Sequence, residues 1–339
     1  MRAVCYHAAG KFVYEEIPDR KPGKGEVKIA VAYCGICGSD LHIFQGHMDQ
    51  RVHAPQVIGH EMSGKIVEVG TSVRDWHQGD KVTVRPLDNC GCCPTCRAGF
   101  VHICEKLKFM GIDSPGAMAE YWTVPARLLH RLPAQLPMDL AALIEPLAVA
   151  CHDIKRAEIT SGDVVVVNGG GPIGMLIAMV ARQVGGKVIV AEINPHRLTF
   201  AEQHGFTVVN PQHQSMAEAL AEQGASSGAD VFFEVSGSPA GAAAMTNFTR
   251  PRGRIVVVAI YPIPAPVDLH KFFWKELQLR GARVYEAEDF ERAVALATEG
   301  DLPLQDMITA RYPLSRTQEA FEFLSTGTNC MKILIGGKD

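Results

Sequence analysis

Asp163-Val164-Val165-Val166-Val167-Asn168-Gly169-Gly170-Gly171-Pro172-Ile173-Gly174 is the stretch that decides the fold. A short apolar run lies between Gly162 and Gly169 and reads as a strand. An apolar helical stretch, Ile173–Val184, follows it. Lys187–Glu192 then reads as a second strand, and runs at Asp230–Val235 and Arg254–Ile260 repeat the theme. Strands alternating with helices of this length imply an α/β domain with a doubly wound parallel sheet.

The glycines of the same stretch match G-x-G-x-x-G between a strand and a helix. Gly169 permits the tight turn. Gly171 lets the backbone approach a pyrophosphate, and Gly174 allows close helix–strand packing. Pro172 and Ile173 open the helix whose N-terminal N–H groups would face the phosphates. Such a turn can also serve packing alone. The second strand ends in Glu192, about 20 residues on, whose carboxylate can accept from a ribose 2′-OH and would repel a 2′-phosphate. That favours NAD over NADP, although Arg197 lies close enough to soften the repulsion.

Upstream the texture differs. Residues 1–147 are β-rich and loop-rich, with runs such as Glu26–Ala32 and Lys65–Val69 punctuated by Gly and Pro. After Gly281 helical patterns return at Phe290–Gly300 and Arg316–Ser325, followed by an apolar strand at Lys332–Ile335. This tail could close the nucleotide domain or return to the first one. The division adopted is 1–147, 148–283 and a 284–339 segment returning to the first domain. A chain of 339 residues fits two such domains.

Ten cysteines need an explanation, and five of them fall between Cys90 and Cys104. In a long chain without a signal-like apolar segment after Met1, clustering points to metal rather than disulfides. Cys90, Cys93, Cys96 and Cys104 read C-x2-C-x2-C-x7-C within a lobe at about 88–105, and four thiolates so close can wrap one structural zinc with no open position. Cys92 allows a shifted register on spacing alone, and an iron–sulfur cluster is the minor alternative. With 47% hydrophobic and 21% charged residues, a net charge of −4, no basic block and no long apolar span, the composition argues against nucleic-acid and membrane binding and points to the cytoplasm.

Three further segments gain meaning together. Cys37 lies in Gly35-Ile36-Cys37-Gly38-Ser39-Asp40-Leu41-His42, His60 and Glu61 in Gly59-His60-Glu61, and Glu145 in Ile144-Glu145-Pro146. Singly, each is more often a buried or capping residue than a ligand. In this order, with the cysteine lobe and the glycine fingerprint, they resemble the zinc-containing medium-chain dehydrogenases, most closely the sorbitol, threonine and butanediol dehydrogenase branch. The resemblance spans nearly the whole chain. It implies a GroES-like β-rich catalytic domain beside a Rossmann domain. It also implies two zinc ions per chain and NAD. Cys37 and His60 would ligate the catalytic zinc, with Glu61 and Glu145 completing the shell directly or through water. Glu145 stands where alcohol dehydrogenases with a Cys2His site have their second cysteine.

Zinc with an open position lowers the pKa of an alcohol hydroxyl, so that a hydride can pass to C4 of the nicotinamide. Ser39, two residues after Cys37, can take the alcohol proton. His42 can relay it to solvent, and its ordinary pKa near 6.5 suits that task. The substrate is a small-molecule secondary alcohol, of a polyol, sugar acid or similar compound. Phe109, Met110 and Ile112 could line an apolar wall near the zinc. Arg280 and Arg283 could bind hydroxyls or form surface ion pairs. A homodimer or homotetramer is implied, with Arg254–Ile260 and Glu276–Val284 as segments that could add strands across an interface. Two alternatives stay open: an NADP-linked alcohol or aldehyde reductase on the same fold, and a nucleotide-sensing zinc protein without turnover.

Overall fold

In this computed structural model, residues 1–261, 263–326 and 329–337 are described. The chain divides into two compact units, Met1–Glu145 with Glu286–Asp339, and Pro146–Tyr285. The first holds strands β1 (Glu26–Gly35), β2 (Glu61–Val69), β3 (Lys81–Val84), β4 (Tyr121–Pro125) and β5 (Leu129–Arg131), with helix α1 (Gly38–Phe44) after β1. Helix α2 (Ile144–Ala157) leads into the second unit. There β6 (Val164–Asn168), α3 (Pro172–Gln183), β7 (Lys187–Ala191), β8 (Thr207–Val209), β9 (Ala229–Glu234), β10 (Thr249–Val257), α4 (Leu269–Lys275) and β11 (Gln278–Gly281) follow. The chain then returns to the first unit with α5 (Ala287–Glu299), β12 (Ile308–Tyr312) and β13 (Lys332–Gly336).

The second unit is a six-stranded sheet in the order β8-β7-β6-β9-β10-β11, every pair parallel. All four valines of β6 are buried, as a central strand covered on both faces requires. Val164, Val166, Ile189, Phe232 and Ile255 share one core cluster. The strand order reverses between β6 and β9, where open α/β sheets place their ligands. The expected strands sit within a few residues of their observed bounds. The exception is β10, which starts at Thr249 rather than Arg254 despite Pro251 and Gly253.

The first unit carries a seven-stranded sheet in the order β5-β3-β2-β1-β13-β12, with β4 also paired to β1. A three-stranded sheet of Arg2–Ala8, Lys11–Glu16 and Gln56–Val57 accompanies it. β13 pairs antiparallel with β1, so the C-terminal strand joins this sheet. Phe12, Phe44 and Phe321 pack ring on ring, and thereby tie the last helical segment to α1 and the N-terminal hairpin.

One titrating group of this unit is thermodynamically exposed. His130 on β5 packs against Phe290 with ring centroids 4.6 Å apart. Burial, and then the Arg85 charge, hold its imidazole down to about 4. The folded state therefore prefers the neutral ring. Its contribution is complete above the unfolded value near 6.5 and is lost as pH falls from there through about 4, reaching about 3 kcal/mol at full protonation. The urea midpoint of the intact chain should fall more steeply over that window than that of His130→Gln.

Candidate active site and metal centres

Cys37 is the N-cap of α1, and its backbone N–H donates to Asp40 Oδ2 at 2.9 Å. An acid at the third helical position is a natural partner for a helix start. The turn holds Cys37 at the end of β1, next to β2, whose first residue Glu61 lies opposite Gly35. His60 precedes β2, so strand pairing delivers its ring beside the thiol. One ligand atom from each of Cys37, His60 and Glu61 lies within 4.8 Å of the others. His60 and Glu61 are almost wholly buried.

The cluster is short of positive charge. His60 Nδ1 faces Asp40 Oδ1 at 3.6 Å, and Asp40 is fully buried. Burial opposes charging of the imidazole, yet Asp40, the Cys37 thiol and Glu145 together hold it up to about 10. Burial raises the Asp40 carboxyl in turn, against the pull of His60. Asp40 Oδ1, His60 Nδ1 and Glu61 Oε1 are buried without hydrogen-bond partners among the described residues. A thiolate, an imidazole and a carboxylate in this setting fit a divalent cation of the zinc type. Glu145, in the first turn of α2, is buried, and its charge acts on His60 and Lys332. It lies outside the three-residue cluster.

Ser39 is half-buried in the first turn of α1. His42, in the last turn, is exposed, with its Nδ1 at 3.5 Å from Nδ1 of His47. Phe109 meets the His60 ring edge-on at 5.0 Å, while Met110 and Ile112 are buried beside it in sequence. Arg280 is engaged elsewhere: it donates to Arg156 O at 2.7 Å and pairs with Glu158 at 2.8 Å. Arg283 is exposed.

Cys90, Cys93, Cys96 and Cys104 form a second cluster within the same 4.8 Å limit. Backbone N–H groups of Cys93, Cys96 and Lys106 point at the sulfurs of Cys90, Cys93 and Cys104 at 3.3–3.4 Å. Such donors favour thiolates, and those of Cys92 and Cys93 bring Cys90 down to about 6. Four sulfurs with their own donors suit one tetrahedral ion. Cys92 is exposed and stands outside this quartet, with its sulfur 3.7 Å from that of Cys90.

In the second unit the glycine loop lies at the carboxyl end of β6. Gly169 adopts φ +118°, which favours glycine. A methyl group on Gly174 would collide with Gly169 O, so packing forbids one there. At Gly171, the N-cap of α3, the nearest atom to such a methyl is Arg197 Nη1 at 3.5 Å. Packing thus leaves space at Gly171, which suits a close-lying phosphate. Pro172 and Ile173 form the first turn of α3. Glu192 stands just past β7, accepting from Gly170 N–H at 2.9 Å and from the N–H groups of Ile193 and Asn194. Arg197 lies 3.6 Å from it.

Sequence reasoning assigned no role to Asp40 or Lys332. Asp40 had a signal in its spacing from Cys37; Lys332 had only the oddity of a lysine in an apolar strand. Asp40→Asn should keep the fold, weaken the metal site by about 10- to 100-fold and lower activity in step. Zinc retained after timed exposure to a chelator checks this.

Comparison with known proteins gives the family. Residues 23–134 match the alcohol dehydrogenase GroES-like domain and residues 172–299 the zinc-binding dehydrogenase family. The chain is 49% identical to 2-dehydro-3-deoxy-L-galactonate 5-dehydrogenase of Pseudoalteromonas atlantica, over 93% of this chain and 92% of that protein. It is 35% identical to sorbitol dehydrogenase of Halalkalibacterium halodurans, over 97% and 96%. The solved structure of 2R,3R-butanediol dehydrogenase from Bacillus subtilis superposes with a TM-score of 0.91 at 30% identity, over 99% of each chain. The chain belongs to the zinc-containing medium-chain dehydrogenases, in the sorbitol and threonine dehydrogenase-like branch, and is a zinc-dependent NAD(P)-linked alcohol dehydrogenase.

Proposed function

We propose that this chain oxidises a secondary hydroxyl of a polyol or sugar acid, with NAD as acceptor. The Cys37–His60–Glu61 cluster carries the reading. The 49% relative, whose name describes oxidation at position 5 of a 3-deoxy sugar acid, orders the candidate substrates. When bound, zinc supplies a Lewis acid for the alcohol and the nicotinamide accepts the hydride.

The residues do the rest. Cys37 and His60 hold the catalytic metal, Asp40 fixes the His60 ring, and Glu61 or Glu145 completes the shell. The Ser39 hydroxyl takes the alcohol proton, and exposed His42 passes it to water. Cys90, Cys93, Cys96 and Cys104 hold a second, structural zinc. Ten free cysteines support a reducing, cytoplasmic setting. Among the described residues no helix is long and apolar enough to cross a membrane. Ile260, Leu269, Phe273, Trp274 and Leu279 are exposed near the edge strand β11, which supports a homodimer through a second copy of this face.

The test is NADH formation with 2-dehydro-3-deoxy-L-galactonate, sorbitol, threonine and butanediol, in separate assays. Highest kcat/KM on the sugar acid is the expected result. No NADH from any of them, in protein carrying two zinc ions, favours a nucleotide-sensing role instead. Glu192→Ala should lower the NAD-over-NADP ratio of kcat/KM by about tenfold, the value of one lost charge-assisted hydrogen bond. An unchanged ratio removes Glu192 from cofactor choice.

A further inference from the structure

A tight turn at residues 109–114 stands against the segment that carries His60. The N–H groups of Ile112 and Asp113 donate to Phe109 O at 3.1 and 2.8 Å, and that of Gly111 donates to Ser114 O at 3.1 Å. Backbone pairing fixes the chain on either side. Phe109 lies opposite Leu87, and the N–H groups of Gly116, Ala117 and Met118 donate to the carbonyls of Val57, Gly59 and Ile58. The body of the turn presses inward. Phe109 meets the His60 ring edge-on at 5.0 Å. Gly111 adopts φ +90°, and a methyl group there would collide with Gly59 O and stand 3.1 Å from His60 Cβ. A shift of this turn therefore changes what stands beside His60.

The connection between α1 and β2 grips the turn with two side chains. Arg51 Nε donates to Asp113 Oδ1 at 2.6 Å, and Arg51 Nη2 to Asp113 Oδ2 at 2.8 Å. Gln56 Nε2 donates to Ile112 O at 2.7 Å. Asp113 Oδ2 also accepts from Phe109 N–H at 2.7 Å. One carboxylate thus joins the guanidinium to the backbone of Phe109. The connection is itself anchored, by Tyr6 OH donating to Asp49 Oδ1 and by Arg51 N–H donating to Met48 O. The Arg51 and Asp113 side chains are 42% and 22% exposed, and such a pair adds little to overall stability. A two-pronged pair does fix the distance and the plane of the carboxylate. Its geometry suits placement of the turn more than support of the fold.

We propose that Arg51 and Asp113 are positioning residues that hold Phe109 as a fixed wall of the alcohol site and so limit the size of the alcohol admitted. This rests on the reading that Cys37 and His60 hold the catalytic metal. With the fork intact, the turn cannot swing away and Phe109 excludes bulk beside His60. Without it, the turn keeps its paired ends, its tip loosens, and a wider group enters.

The test uses the zinc-loaded full chain and two zinc-binding probes of different size, imidazole and 4-phenylimidazole, with Kd for each read by calorimetry. Loss of binding in C37S assigns the probes to the catalytic metal rather than to the four-cysteine lobe. The readout is the ratio of the two Kd values, which cancels any change common to both. In R51M and D113A the ratio should shift toward the bulkier probe by about tenfold, the scale on which a pocket wall discriminates an added apolar group, with zinc content unchanged. F109A, which removes the wall, should shift it at least as far. R51M/D113A should match D113A, because Arg51 acts through that carboxylate. R51K, which keeps the charge without the fork, should behave as R51M does. A ratio in R51M equal to that of the intact chain, with F109A shifted, overturns the clamp and leaves the wall standing. Additive shifts in the double variant, or R51K equal to the intact chain, also overturn it. A ratio untouched by F109A overturns Phe109 as the wall. Absence of any Cys37-dependent imidazole binding overturns the metal reading itself. Should D113A fail to fold, D113N and R51M/D113N take its place with the same expected equality.

Discussion

Cys37→Ser or His60→Ala is expected to lower kcat by at least about a thousandfold, with NADH affinity unchanged to within about twofold. The Lewis acid is worth several kcal/mol, and each 1.36 kcal/mol is a factor of ten. On the proposed metal site, loss of either residue leaves too few donors to hold an ion. The cofactor loop does not share these residues: Gly169, Gly171, Gly174 and Glu192 are held by β6, α3 and the end of β7 within the second unit. Substitutions that share no partners respond separately. Steady-state turnover and NADH fluorescence titration on each variant check both halves. Equal losses of turnover and NADH affinity would mean that the residues serve the cofactor rather than the chemistry.

The second large effect concerns the four-cysteine lobe. Its order rests on short helical turns and on N–H groups aimed at sulfur, with little apolar core: Cys93, Cys96 and Cys104 themselves form its buried hydrophobic cluster, flanked by Val101 and Leu107. Four thiolates held this close repel one another unless an ion lies among them. Binding in small zinc domains supplies on the order of 10 kcal/mol, far more than such a lobe can gain from packing. Cys93→Ser/Cys96→Ser should therefore unfold the lobe locally. Hydrogen exchange at Cys104 and Lys106 should accelerate by at least about a thousandfold, while β6, β7 and β9 keep their protection. Uniform acceleration across both units would show that the lobe is not an independent element.

Much of this was legible in the sequence because it depends on local pattern. Four consecutive valines before a glycine turn specify a strand covered on both faces, and Gly174 is forced by the proximity of Gly169 O five residues earlier. The C-x2-C-x2-C-x7-C spacing marks a four-sulfur cluster, and the structure brings those four together with Cys92 outside. What escaped depends on sheet register or on exposure. Lys332 and Glu61 are 271 positions apart in the chain and meet only because β13 and β2 flank β1. Asp40 was visible in its motif, but its role needs His60, which arrives from another strand. Helix α4 went unread because Leu269, Phe273 and Trp274 face outward, so its apolar residues mark no core-facing stripe. Of the two roles left open for Arg280, hydroxyl binding or an ion pair, the structure shows an ion pair with Glu158.

Anomalous X-ray scattering at the zinc absorption edge, from crystals of the active protein, tests the central claim most directly. Two peaks per chain are predicted, one within coordination distance of Cys37 Sγ and His60, and one among Cys90, Cys93, Cys96 and Cys104. An active enzyme with a peak only in the cysteine lobe, and none at Cys37 and His60, would contradict the account.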